Sequence, residues 1–172
     1  MTKETLSLSI NFIVLILLQA FLFNAMYLGV YVSLQLYLMF IIFLPAKLPA
    51  ITVMVLAAIT GITTDLLSSG DIGLHLAACV AMAYIRPFML SKTSPTDIQF
   101  EIPDLDLPHF SEYLLYVGIL VLMHHSVLFI FESLSFKEFG YIVARICASA
   151  AVNIFLICVI KSIPPIVKHK KR

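Results

Sequence analysis

Apolar residues run through this chain in long blocks, and the charged residues fall between them. Residues 5–46 hold no Lys, Arg, Asp or Glu, and neither do 48–64, 72–85, 113–131 or 146–160. A helix needs roughly 20 mostly apolar residues to cross the hydrocarbon of a bilayer. The first block is long enough for two crossings, and each of the others fits one once its flanks are added. The pattern predicts helices over about 8–27, 30–46, 49–68, 72–90, 112–133 and 138–162. A lipid-facing barrel would need sustained period-two alternation, and none runs along the chain. The first hairpin is the least marked element. Its turn rests on Asn24, Gly29 and Ser33, and the second helix is short enough to be a partial or tilted span.

Composition turns this pattern into a class. Of 172 residues, 61% are hydrophobic and 12% are charged, with mean hydropathy +1.03. A soluble domain carries about a quarter charged residues. A water-soluble enzyme, a nucleic-acid binder and a disordered tail are all poor readings of such a chain. The expectation is an all-α integral membrane protein, a compact bundle of about six transmembrane helices in a single domain, with membrane lipid as its solvent. Lys3 followed by apolar 10–23 imitates a signal peptide. Ala25, however, has Phe23 two places before it rather than a small residue, so a retained first helix is expected.

The basic residues orient the bundle. With six spans, Lys3, Lys47, Arg86, Lys92, Lys161, Lys168, Lys170, Lys171 and Arg172 share one side, and Lys137 faces the other. The positive-inside rule then places both termini, the loop 91–111 and the basic tail 163–172 in the cytoplasm. The tail is either a plain orienting signal or a contact for anionic lipid. In the loop, 97–102 alternates polar and apolar residues between prolines. It reads as a solvated linker or as an edge for a cytoplasmic partner.

Candidate chemistry is sparse. Cys79, Cys147 and Cys158 lie in apolar helices without a metal or redox spacing. His124 and His125 are adjacent and diverge by about 100° on a helix, so they do not chelate from one face. Nucleotide-binding, hydrolase and metalloprotease motifs are missing. No catalytic residue, cofactor or metal is expected.

Small residues at helical spacing predict close packing: Gly73, Ala77 and Ala81, then Ala57 with Gly61, and Ala144 with Ala148. Intramembrane polar groups are costlier and say more. With the six-span orientation, Asp65, His75, His124 with His125, and Arg145 all fall in the outer half of the bundle. Arg145, Ser149 and Asn153 form one polar stripe. The depths allow Asp65, a histidine and Arg145 to meet, as an internal network or as a site facing a partner or solute. Glu132 and Glu138 compete for Arg145.

Gly61-Ile62-Thr63-Thr64-Asp65, then Gly73-Leu74-His75, then Tyr84-Ile85-Arg86-Pro87 resembles the central signature of the rod shape-determining MreD family. The likeness covers the third and fourth helices and extends more weakly over the chain. It puts family-motif roles on Gly61, Asp65, Gly73, His75, Tyr84 and Arg86. It implies a non-enzymatic scaffold of the bacterial cell-elongation complex in the inner membrane, acting with MreC, and with MreB, RodA and a class B penicillin-binding protein. The implied fold is similar to the vitamin-binding S-components of energy-coupling-factor transporters, which supplies the alternative of a small-solute binding subunit. The lack of tryptophan and the short outer loops weigh against that alternative. A lipid-processing enzyme would need a further catalytic motif beside Asp65 and His75.

Overall fold

The computed structural model describes residues 3–23, 31–68, 72–93, 109–133 and 138–162, with side chains from residue 9 to 21 in the first stretch. Among the described residues six α-helices follow in order: α1 Lys3–Leu18, α2 Leu38–Ile42, α3 Ala50–Leu67, α4 Leu74–Thr93, α5 Phe110–Ser133 and α6 Phe139–Ser162. A wider turn, Gln19–Phe23, extends α1. Helices α3 to α6 are long and apolar enough to cross a membrane, and α1 has a shorter apolar stretch, Ser9–Phe21. The expected loop 91–111 gives up its first three residues to α4 and its last two to α5. Residues 94–108, including the alternating 97–102, and the basic tail 163–172 lie outside the described residues, as do Asn24 and Gly29 of the expected turn; its third residue, Ser33, lies in extended backbone.

Helix α4 continues through Pro87 to Thr93. Proline removes one ladder bond, a loss that membrane helices tolerate where neighbours re-satisfy the freed group. Helices α3 and α4 pack on each other, α4 on α5, and α5 on α6. One core joins Leu38, Ile41 and Ile42 of α2 to Val53, Met82, Tyr116 and Leu120. A smaller one joins Ala78, Leu128, Phe129 and Ile142 where α5 ends and α6 begins.

The helix expected over 30–46 does not form. Only Leu38–Ile42 is α-helical, and residues 32–35 run without helix or turn. The chain nevertheless travels the length of the bundle. The Tyr31 ring packs 5.3 Å from that of Tyr141, in the first turn of α6. Further on, Tyr37 meets His124, and the Ile42 and Leu44 carbonyls meet Tyr116 and Arg86, nearer the start of α5 and the end of α4. So 31–44 runs along the bundle as an extended stretch followed by one short helix.

Extended backbone at membrane depth needs every N–H and C=O bonded inside the protein. Here side chains on both edges supply the bonds. On one edge, the Ser33 N–H donates to Ser149 Oγ (3.0 Å), and Ser149 Oγ donates to the Tyr31 carbonyl (3.1 Å). The Gln35 N–H donates to Asn153 Oδ1 (2.8 Å), and Asn153 Nδ2 donates to the Ser33 carbonyl (2.8 Å). On the other edge, Gln19 Nε2 donates to the Leu34 carbonyl (3.0 Å), and the Leu36 N–H donates to Gln19 Oε1 (2.6 Å). Successive residues of an extended strand point their polar groups to alternate edges, and the two carboxamides stand in for neighbouring strands.

Candidate functional site

Asp65 ends α3 with a carboxylate that is 2% exposed. It receives the Gly73 N–H (2.9 Å) and the Leu76 N–H (3.1 Å) on Oδ2, and the His75 N–H (3.0 Å) and His75 Nδ1 (2.8 Å) on Oδ1. The first amides of a helix have no intrahelical acceptor, and an anion there also meets the positive end of the helix dipole. Asp65 is therefore a cap for α4 delivered from the preceding helix. Gly73 makes the geometry possible with φ +102, a backbone conformation that glycine adopts without steric cost.

Gly61 sits one turn deeper. A Cβ there would lie 2.7 Å from the Leu76 nitrogen and 2.8 Å from the His75 carbonyl, so the α3 and α4 backbones touch. Ala57 beside it is buried, as expected of a packing stripe. The stripe expected on α4 is corrected. Gly73 precedes the helix and a Cβ there would meet nothing within 4 Å, while Ala77 is exposed and Ala81 half-buried. The face that packs carries Ala78, Cys79, Met82, Ala83 and Arg86. On α6, Ala144 is likewise exposed and Ala148 half-buried, and the inward face carries Ser149, Ala150 and Asn153.

From His75 a polar belt continues through the core. The His75 ring lies 6.0 Å edge-on from Tyr37, whose hydroxyl is 3.1 Å from His124 Nε2. His124 packs against His125 (5.3 Å), and both are buried. His125 Nδ1 is 3.0 Å from the Val121 carbonyl, so it carries the proton, which leaves Nε2 to accept from Asn153 Nδ2 (3.3 Å). The belt thus joins the α4 cap to the carboxamide that holds the extended stretch. His124 Nδ1 is its one buried side-chain atom without a partner among the described residues.

Arg145 does not join this belt. Its guanidinium bonds Glu132 (3.2 Å) and lies over the Phe129 ring (4.2 Å) at the end of the bundle where α5 meets α6. Asp65 is already saturated by amides and His75, and Arg145 finds its partner on the neighbouring helix. Arg86 builds a second buried site instead. It is 1% exposed, its Nε donates to the Tyr116 hydroxyl (2.9 Å), and its terminal nitrogen donates to the Leu44 carbonyl. Tyr116 in turn donates to the Ile42 carbonyl (3.1 Å). A cation at the carbonyl end of α2 is the mirror of Asp65 at the amide end of α4.

No family model, curated protein or solved structure matches this chain.

The motif residues therefore stand on their geometry. Gly61, Asp65, Gly73, His75 and Arg86 each hold two elements of the bundle together. Tyr84 is different. It lies halfway along α4 and is 74% exposed, with no hydrogen bond among the described residues. Gln19, Gln35, Tyr37 and Tyr116 belong to the site and went unnamed from sequence, and Ser33, read there as a turn residue, is bonded to Ser149 and Asn153 instead. The signal for Ser33 and Gln35 was Ser33-Leu34-Gln35-Leu36, a brief polar/apolar alternation inside a block otherwise read as helical.

Proposed function

We propose that the chain is a non-enzymatic membrane scaffold of the MreD kind, which positions side-wall peptidoglycan synthesis in a rod-shaped bacterium and binds MreC. The observation that carries this reading is the motif over 61–87. Five of its positions are absorbed by internal bonds or close helix packing, and the sixth, Tyr84, is turned outward, as a residue that meets a partner would be. The belt joins bundle residues to one another and leaves them little to offer a substrate. In this reading the protein sits in the inner membrane with both termini cytoplasmic. Lys92 and Lys161, whose ammonium groups lie over the Phe88 and Tyr113 rings, then mark the cytoplasmic end of the bundle. MreB, RodA and a class B penicillin-binding protein are the further partners.

One observation favours the alternative of a solute-binding subunit in an energy-coupling-factor transporter. Interrupted membrane segments often line solute sites, and 31–44 is such a segment. Its backbone polar groups, however, are bonded to Gln19, Ser149 and Asn153 rather than presented to a cavity. Affinity purification of the tagged full chain in mild detergent separates the two. MreC and MreB in the eluate support the scaffold, and recovery of transporter ATPase subunits without them refutes it.

A further inference from the structure

With α2 only five residues long, α1 is left partly uncovered. Asn11, Val14 and Leu15 on α1 and Met39, Phe40 and Phe43 opposite them line an open groove of about 260 Å³. One wall carries a carboxamide in an otherwise apolar lining. Asn11 is exposed, and its side chain has no hydrogen bond among the described residues. It lies about 12 Å along the helix axis from Lys3, at 1.5 Å per residue. Phe43 precedes Leu44, which is bonded to Arg86, itself about 10 Å from the end of α4 by the same rise. With Lys3 at the membrane surface, Asn11 lies inside a hydrocarbon layer about 30 Å thick. The Asn side chain is too short to reach water from there, and a lipid tail offers it no bond. An amide stripped of water without a partner is strongly disfavoured there.

The groove is smaller than the ~300–1,000 Å³ of small-molecule sites, and its size and lining suit side chains of a neighbouring helix. We propose that this neighbour is a second copy of the chain, docked as a parallel two-fold pair with the two Asn11 carboxamides facing each other. A carboxamide carries both donors and acceptors, so two of them related by a two-fold axis close two N–H···O bonds. An axis along the membrane normal matches their depths by construction, which an unrelated helix would have to achieve separately. Ile10, Leu17 and Leu18 are exposed on the same helix and supply apolar contact. This inference does not rest on the scaffold reading.

The test uses the full chain in lipid vesicles. In a Cys147→Ser, Cys158→Ser background, Asn11→Cys is oxidised with copper phenanthroline, and Ile62→Cys on the outward face of α3 serves as the control. The pair predicts a dimer band for Asn11→Cys and none for Ile62→Cys. Energy transfer between donor- and acceptor-labelled copies then compares variants at fixed protein-to-lipid ratio. Asn11→Leu, an apolar change on an exposed position, lowers the association constant at least tenfold, and Asn11→Gln keeps most of it. Equal association of Asn11→Leu and the parent overturns the proposal. So does a monomeric parent whose Asn11→Cys forms crosslinks to a different membrane protein, which assigns the groove to that partner.

Discussion

Replacing Asp65 with alanine removes the acceptor of four hydrogen bonds at once. Three come from the amides of Gly73, His75 and Leu76 and one from the His75 ring. Loss of an ordinary helix cap costs about 0.5–2 kcal/mol. A bond to a charged group contributes about 1.5–3 kcal/mol, and a buried donor left without its acceptor costs about 1–3 kcal/mol. Against this, interhelical bonds within membranes average only about 0.6 kcal/mol, because the unfolded chain in lipid also finds partners. The carboxylate's charge and its four donors place Asp65→Ala at the upper end, a loss of about 3 kcal/mol. Asp65→Asn keeps one acceptor oxygen but turns an NH2 toward the remaining amides, so it loses about half as much. Reversible unfolding in mixed micelles of increasing dodecyl sulfate content measures both. Glu132→Gln is the control, because its pair with Arg145 is partly exposed and contributes about 1 kcal/mol or less. If Asp65→Ala loses no more than Glu132→Gln, the carboxylate is not the cap that organises α4.

Gly61→Ala brings a methyl group against the α4 backbone and destabilises the bundle by about 1–3 kcal/mol in the same titration. Gly73→Ala has space around it and a strained φ, so it costs about 1–2 kcal/mol without moving α3 from α4; disulfide trapping between those helices is unchanged. Asn153→Leu strands the Ser33 carbonyl and the Gln35 amide, and amide exchange over residues 31–36 rises while the ends of α5 stay protected.

The membrane class and the long helices were legible because block length and charge position report directly on lipid burial, which acts residue by residue. The extended segment at 31–44 was not. Its strand-like alternation is only a few residues long, and it exists because Gln19, Ser149 and Asn153 happen to converge on it from helices far away in sequence. The small-residue stripe on α4 misled for a related reason. Spacing says which residues share a face, but not whether the face turns inward, and Arg86 with Cys79 and Met82 turned it the other way. Asp65 and His75 were found as costly polar groups in lipid, and they do meet. What the spacing did not reveal was that backbone amides of α4, invisible in side-chain patterns, would occupy the carboxylate and leave Arg145 to Glu132.

The central claim is that the motif holds the bundle together through five residues and presents Tyr84 to a partner. Its most direct test is Tyr84→Ala, purified in mild detergent from cells making tagged MreC. The account predicts unfolding indistinguishable from the parent and at least tenfold less MreC recovered, with Tyr84→Phe intermediate if the hydroxyl is bonded across the contact. Undiminished recovery of MreC with Tyr84→Ala would contradict it.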